Sequence, residues 1–205
     1  PLLTYLIAMP HVRLTVLPKL PQDLRGVDAV VTTAKAVDTE PPESLVDFVK
    51  AGGGWLLLNP ADDKPLTDLL GVRCGRSGPP AELRVLFRNP KHPLAVRLPD
   101  AVYLKSVHRP MDITAADTEI LLYADWQYRH NPVLVCRPLG KGKVAATTLQ
   151  AYDNPFLQQV LYRLIRYLTG RTESNRPLGV GILGYAPSVG RYHGLGAQNT
   201  TGLAL

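Results

Sequence analysis

The stretch LVDFVKAGGGWLLLN (45–59) decides the fold. Its first half reads as a helix. Leu45, Val46 and Val49 form an inner stripe, Pro41 and Pro42 fit a first turn whose N–H groups lack partners anyway, and Glu43 and Asp47 favour the positive helix start. Gly52 can stop that helix, and WLLLN (55–59) then reads as a strand. Upstream, DAVVTTA (28–34) is apolar almost throughout, as a parallel strand covered on both faces would be. A strand, a helix and a second strand in that order imply a parallel pair joined by a crossover helix.

Working outward, VRLTVL (12–17) reads as a further short strand, and DKPLTDLLG (63–71) as a short helix with a glycine stop. Before them, PLLTYLIAMPH does not open on a Met and starts abruptly in apolar residues, as though an earlier strand had been cut away. A Gly/Pro-rich loop runs through Gly75, Gly78, Pro79 and Pro80. Beyond it come LRVLF (83–87), LAVRL (94–98), EILLYA (119–124), PVLVCR (132–137) and KVAATTL (143–149), all strand-like, with a hairpin at Leu139-Gly140-Lys141-Gly142. The clearest helix lies between Asn154, its cap, and Gly170, its stop. Phe156, Leu157, Val160, Leu161, Leu164, Ile165 and Leu168 share one face. The expected class is α/β: a mainly parallel sheet with helices on both faces and an antiparallel addition.

A polar linker, 171–178, follows, and then a different grammar. Residues 179–183 read as a strand, a glycine turn follows, a helix covers about 189–198, and a second strand opens at the end. That is the start of a Rossmann βαβ nucleotide unit. Gly184 supplies the tight turn, Ala186 stands where a glycine lets backbone approach pyrophosphate, and Gly190 lies one place later than in G-x-G-x-x-G. With Ser188 and Val189, these residues form the expected cofactor-binding loop. The acidic residue that reads the ribose would fall past Leu205.

Charge and chemistry narrow the function. The net charge of +6 is spread along the chain, and its one concentration, Arg73, Arg76, Arg84, Arg88, Lys91 and Arg97, has only Phe87 as a stacking aromatic, so no nucleic-acid partner is expected. No run approaches the roughly 18 apolar residues of a membrane helix. A cytoplasmic protein with no membrane partner is expected, with homo-oligomerisation open. Cys74 and Cys136 lie outside C-x-x-C spacing and read as buried thiols rather than metal ligands or nucleophiles. The histidines His11, His92, His108, His130 and His193 show no i,i+4 pairing, so no metal site is assigned. Nucleophilic catalysis needs a thiolate or hydroxyl on a strained turn after a strand, and the turn after WLLLN carries Asn59-Pro60. No catalytic residue is assigned. His108, beside Arg109 and near Asp112, is the best pocket candidate, although a surface histidine in a loop is the preferred reading. Asp62 and Asp63 follow a strand's carboxyl end, where caps and ligand sites both occur. Gly140-Lys141-Gly142 can touch an anion or simply turn a hairpin.

The motifs carry two resemblances. DAVV (28–31), LVDFVKAGGGWLLLN (45–59), HPLAVRLPD (92–100) and PVLVCRPLGKGKVAATTL (132–149) make residues 1–170 resemble the ThuA, or trehalose-utilisation, family. That resemblance implies a flavodoxin-like, class I glutamine amidotransferase-like fold. The family's usual functional positions are substituted. Asn59 stands for a histidine, the stretch from Tyr103 to Arg109 lacks the usual acidic residue, and Leu149-Gln150-Ala151 stands where Gly-His is usual. The last 27 residues, with Arg191-Tyr192-His193, resemble the N-terminus of Gfo/Idh/MocA-family oxidoreductases. That implies NAD or NADP as cofactor and a sugar or polyol as substrate, with the catalytic lysine of that family lying further along. Together the two imply the N-terminal portion of a fused ThuA-like/NAD(P)-dependent oxidoreductase, inactive as it stands; the alternative is a non-catalytic amidotransferase-like module for carbohydrate binding or assembly.

Overall fold

The computed structural model describes residues 1–9, 12–36, 41–61, 64–126 and 129–171, together with the backbone of 178–179 and 203–204. In chain order the elements are α1 (Leu2–Ala8), β1 (Ala29–Thr33), α2 (Glu43–Lys50), β2 (Gly54–Leu58), α3 (Lys64–Leu70), β3 (Val72–Cys74), β4 (Ala81–Phe87), β5 (Ala101–Ser106), β6 (Met111–Ile113), β7 (Glu119–Trp126), β8 (Arg129–Leu139), β9 (Gly142–Thr147) and α4 (Pro155–Leu168). Two short strands, β10 (Leu178–Gly179) and β11 (Leu203–Ala204), complete the list.

Seven strands form one sheet in the order β1-β2-β9-β8-β7-β4-β5. β1, β2 and β9 run parallel, whereas each of the remaining neighbours is antiparallel. The architecture is α/β and flavodoxin-like, and its antiparallel addition extends from the expected hairpin through four strands. β3 and β6 form a small antiparallel sheet of their own. β10 and β11 pair in parallel, Leu178 with Leu203 and Gly179 with Ala204.

Every residue of β2 is buried because both sheet faces are covered. Strand alternation divides them. Trp55 and Leu57 join Leu45, Val49, Leu66, Leu70, Val144 and Ala146 in the layer under α2 and α3. Leu56 and Leu58 join Ala145 and the α4 residues Leu157, Val160, Leu161 and Leu164 on the opposite face, where Leu2 and Leu6 of α1 also pack. The Trp55 indole donates to Thr32 Oγ1 at 2.9 Å, so its buried N–H is satisfied across the β1–β2 pair. Asn154 caps α4 as expected, its Oδ1 accepting from the Phe156 and Leu157 amides at 3.0 and 3.3 Å.

Two expected strands are absent. The run 12–17 has the alternating pattern yet forms no strand, because β1 is the sheet's edge and no neighbour is hydrogen-bonded to its outer side among the described residues. LAVRL (94–98) contains instead a 3-10 turn, Pro93–Ala95. The His92 Nδ1 accepts from the Leu94 amide at 3.2 Å, a local bond that competes with a strand ladder, and Arg97 turns the chain at φ 59. The N-terminal apolar run forms the helix α1.

The two glycine runs meet. The Lys141 amide donates to the Lys50 carbonyl at 2.9 Å, so the β8–β9 hairpin docks against the end of α2. A Cβ at Gly142 would collide with the Gly53 and Val49 carbonyls, and Gly140 sits at φ 63. Gly142→Ala is therefore expected to cost about 2 kcal/mol through overpacking. Thermal unfolding should show a midpoint about 6 °C lower.

Candidate functional site

The carboxyl ends of β2 and β9 lie side by side, and polar residues from three loops converge there. Asn59 follows β2 in a left-handed conformation, φ 52, which asparagine tolerates better than most residues. Its amide donates to the Thr147 carbonyl at 2.8 Å, and its Oδ1 accepts from Gln150 Nε2 at 3.2 Å. The Gln150 amide in turn donates to Ser106 Oγ at 2.9 Å, while that hydroxyl donates to the Val107 carbonyl at 2.6 Å. The Thr148 hydroxyl donates to the Arg109 carbonyl at 2.7 Å, tying the 107–110 loop to the end of β9. A third loop closes over it: the Gly75 amide donates to the Pro110 carbonyl at 2.8 Å and the Gly78 amide to the His108 carbonyl at 3.4 Å.

His108 is 5% exposed, so the surface-loop reading of that residue is overturned. Packing between the 75–80 loop and the end of β9 puts it inside. Burial holds its imidazole below its ordinary value, leaving it neutral near pH 7. Its Nδ1 and the Nε of Arg109 are buried with no hydrogen-bond partner among the described residues. Asp112 stays exposed on β6.

The remaining candidates scatter. Cys74 is buried in β3, 3% exposed, opposite Met111, and Cys136 is core in β8. Burial pushes the Cys136 thiol up to about 12, which removes it as a thiolate at physiological pH. His92 is buried beside Tyr167, ring centroids 5.0 Å apart; burial lowers its imidazole, Glu119 draws it back up and Lys143 lowers it again. His130 is exposed and bonded to Asp125 at 2.9 Å. Gly140 and Lys141 make a two-residue hairpin turn between the paired Leu139 and Gly142. Asp62, Asp63, His11, His193 and the loop Gly184, Ala186, Ser188, Val189 and Gly190 lie outside the described residues. Among the described residues, no group of three or more His, Cys, Asp or Glu could hold a metal ion, and no helix is long and apolar enough to cross a membrane. Two cavities lie away from this cluster, at the amino ends of β1 and β2 and along the outer edge of β1.

The cluster thus combines amides, hydroxyls, a neutral imidazole and a guanidinium. Such groups donate and accept hydrogen bonds; none is a poised nucleophile. The sequence located Asn59 and Gln150 by departure from a pattern, and His108 by its neighbours Arg109 and Asp112. Ser106 and Thr148 were missed, since a lone hydroxyl at a strand end carries no distinguishing signal.

No protein-family model and no curated protein matches the chain. Solved structures do. A thuA-like protein from Parabacteroides merdae superposes with a TM-score of 0.57 at 17% identity, over 76% of this chain and 75% of its own. The fold is that of ThuA-like proteins. Cytoplasmic Protein STM1381 from Salmonella typhimurium has a TM-score of 0.59 at 17% identity, over 84% of this chain and 86% of that one. A β-galactosidase from Rahnella sp. R3 matches 71% of this chain with only 23% of its own length, TM-score 0.51 at 13% identity, so the ThuA-like fold also occurs as one part of a larger protein.

Both buried imidazoles, His92 and His108, have folded values below the unfolded 6.5. The unfolded chain therefore binds more protons as pH falls through 6.5, and stability present above that pH is lost below it. Melting temperatures measured between about pH 7.5 and 5.5 should fall with pH, and His108→Gln should flatten that slope.

Proposed function

We propose that residues 1–170 are a ThuA-like module without nucleophilic catalysis, binding a sugar or polyol at the Asn59–Gln150 cluster. We further propose that the module forms the N-terminal part of a cytoplasmic NAD(P)-dependent oxidoreductase of the Gfo/Idh/MocA type. One observation carries the first half: the strained turn after β2, where strand-end nucleophiles stand, holds Asn59 at φ 52, with its side chain engaged by Gln150. An amide at that position cannot attack a carbonyl, but it can read hydroxyl groups by donating and accepting at once. Ser106, Thr148 and neutral His108 extend the same chemistry. The fused reading is supported by β10 and β11, which pair in parallel on either side of the glycine stretch as a βαβ unit requires. The nucleotide would be held by Gly184, Ala186, Ser188, Val189 and Gly190.

Titration calorimetry of the 205-residue chain against a panel of neutral sugars and polyols tests this reading. Saturable binding is expected, with Asn59→Ala and Gln150→Ala each weakening it about tenfold, the equivalent of one hydrogen bond. Neither glutamine hydrolysis nor NAD-dependent sugar oxidation should appear with this chain alone. Glutaminase activity abolished by Cys74→Ala would overturn the non-nucleophilic assignment.

A further inference from the structure

A cleft of about 790 Å³ runs along the outer edge of β1. One side is the strand itself, where Val30 and Val31 line the cleft, and the other is the irregular segment carrying Leu14, Leu17 and Leu20. Ile165 of α4 contributes to the lining. β1 has five residues paired in parallel with β2, and its opposite edge has no hydrogen-bonded neighbour among the described residues. An open edge beside apolar walls presents the two things an added strand needs, main-chain donors and acceptors in a row and side-chain space on both faces. The far wall fits that arrangement. Residues 12–15 alternate half-buried and exposed, the pattern of an outer strand, yet they form no strand pairing among the described residues.

We propose that this cleft is a docking groove for one extended apolar peptide, supplied by a partner and added to the sheet beside β1, with residues 12–17 closing over its far side. The charge around the groove refines the partner. Arg13, Lys19 and Arg171 lie along it against a single acid, Asp28, which bonds Arg171 at 3.2 Å. An apolar strand flanked by acidic residues is complementary to that rim. A second copy of this chain fits less well, because it would bring the same basic rim against itself.

The test uses a fluorescein-labelled peptide of sequence EVIVVTE, with two controls, the same peptide N-methylated at alternate residues and the peptide KVIVVTK. Anisotropy titration should saturate with EVIVVTE, and hydrogen exchange of the β1 amides on the outer edge should slow at least about tenfold on binding. N-methylation should abolish both effects by removing main-chain donors, and the lysine-flanked peptide should bind more weakly. Val31→Lys, checked for an unchanged circular dichroism spectrum, should also abolish binding. Equal binding of the N-methylated peptide would show an apolar cleft and no strand addition, and overturn the proposal. Absence of peptide binding, or protection of β1 through dimerisation seen in sedimentation, would overturn it as well.

Discussion

The contact between two glycine runs organises this molecule. At the end of α2 the chain must reverse into β2 within three residues, Gly52-Gly53-Gly54, and the β8–β9 hairpin must lie directly on that reversal. Main chain therefore packs on main chain: Lys141 donates to the Lys50 carbonyl, and Gly142 sits where any side chain would strike the carbonyls of Val49 and Gly53. A bare backbone contact has no slack. It sets the register of β2 against β9, Gly54 opposite Lys143 through Leu58 opposite Thr147, and an error of one residue would turn every buried side chain of both strands to the wrong face.

The same register builds the polar cluster at the other end. Because Leu58 faces Thr147, the two strands finish level, and the next residues, Asn59 and Thr148 to Gln150, emerge together. Asn59 then donates to Thr147 and receives Gln150. The glycines thus act on the site from the far end of the strands, without touching it. Their motif is a structural device in this chain.

That separation explains what could be read from the sequence. Helices α2 and α4 and strands β2, β4, β7, β8 and β9 follow from local patterns of apolar residues, caps and glycines, and the structure has them. Strands β3, β5 and β6 escaped notice; β3 and β6 have three residues each, and β5 carries exposed Tyr103 and Lys105 between buried neighbours. LAVRL misled because a histidine cap and a buried arginine decide its conformation: Arg163 of α4 donates to the carbonyls of Leu94 and Val96, a contact 67 or more residues away in sequence. The candidate site was legible only in pieces, two departures and one histidine beside charged neighbours. Asn59, His108 and Gln150 are far apart in sequence, and no spacing rule announces that an amide at φ 52 will meet an amide 91 positions on.

The polar side chains of the cluster satisfy one another. A buried donor or acceptor left unpaired costs about 1–3 kcal/mol. Here Asn59 and Gln150 satisfy one another, Ser106 accepts from the Gln150 main chain, and Thr148 secures the neighbouring loop. The groups left unpaired are His108 Nδ1 and Arg109 Nε, both beside that network. The network is thus closed on itself except at two buried nitrogens, which keep unused hydrogen-bonding capacity at the ends of β2 and β9.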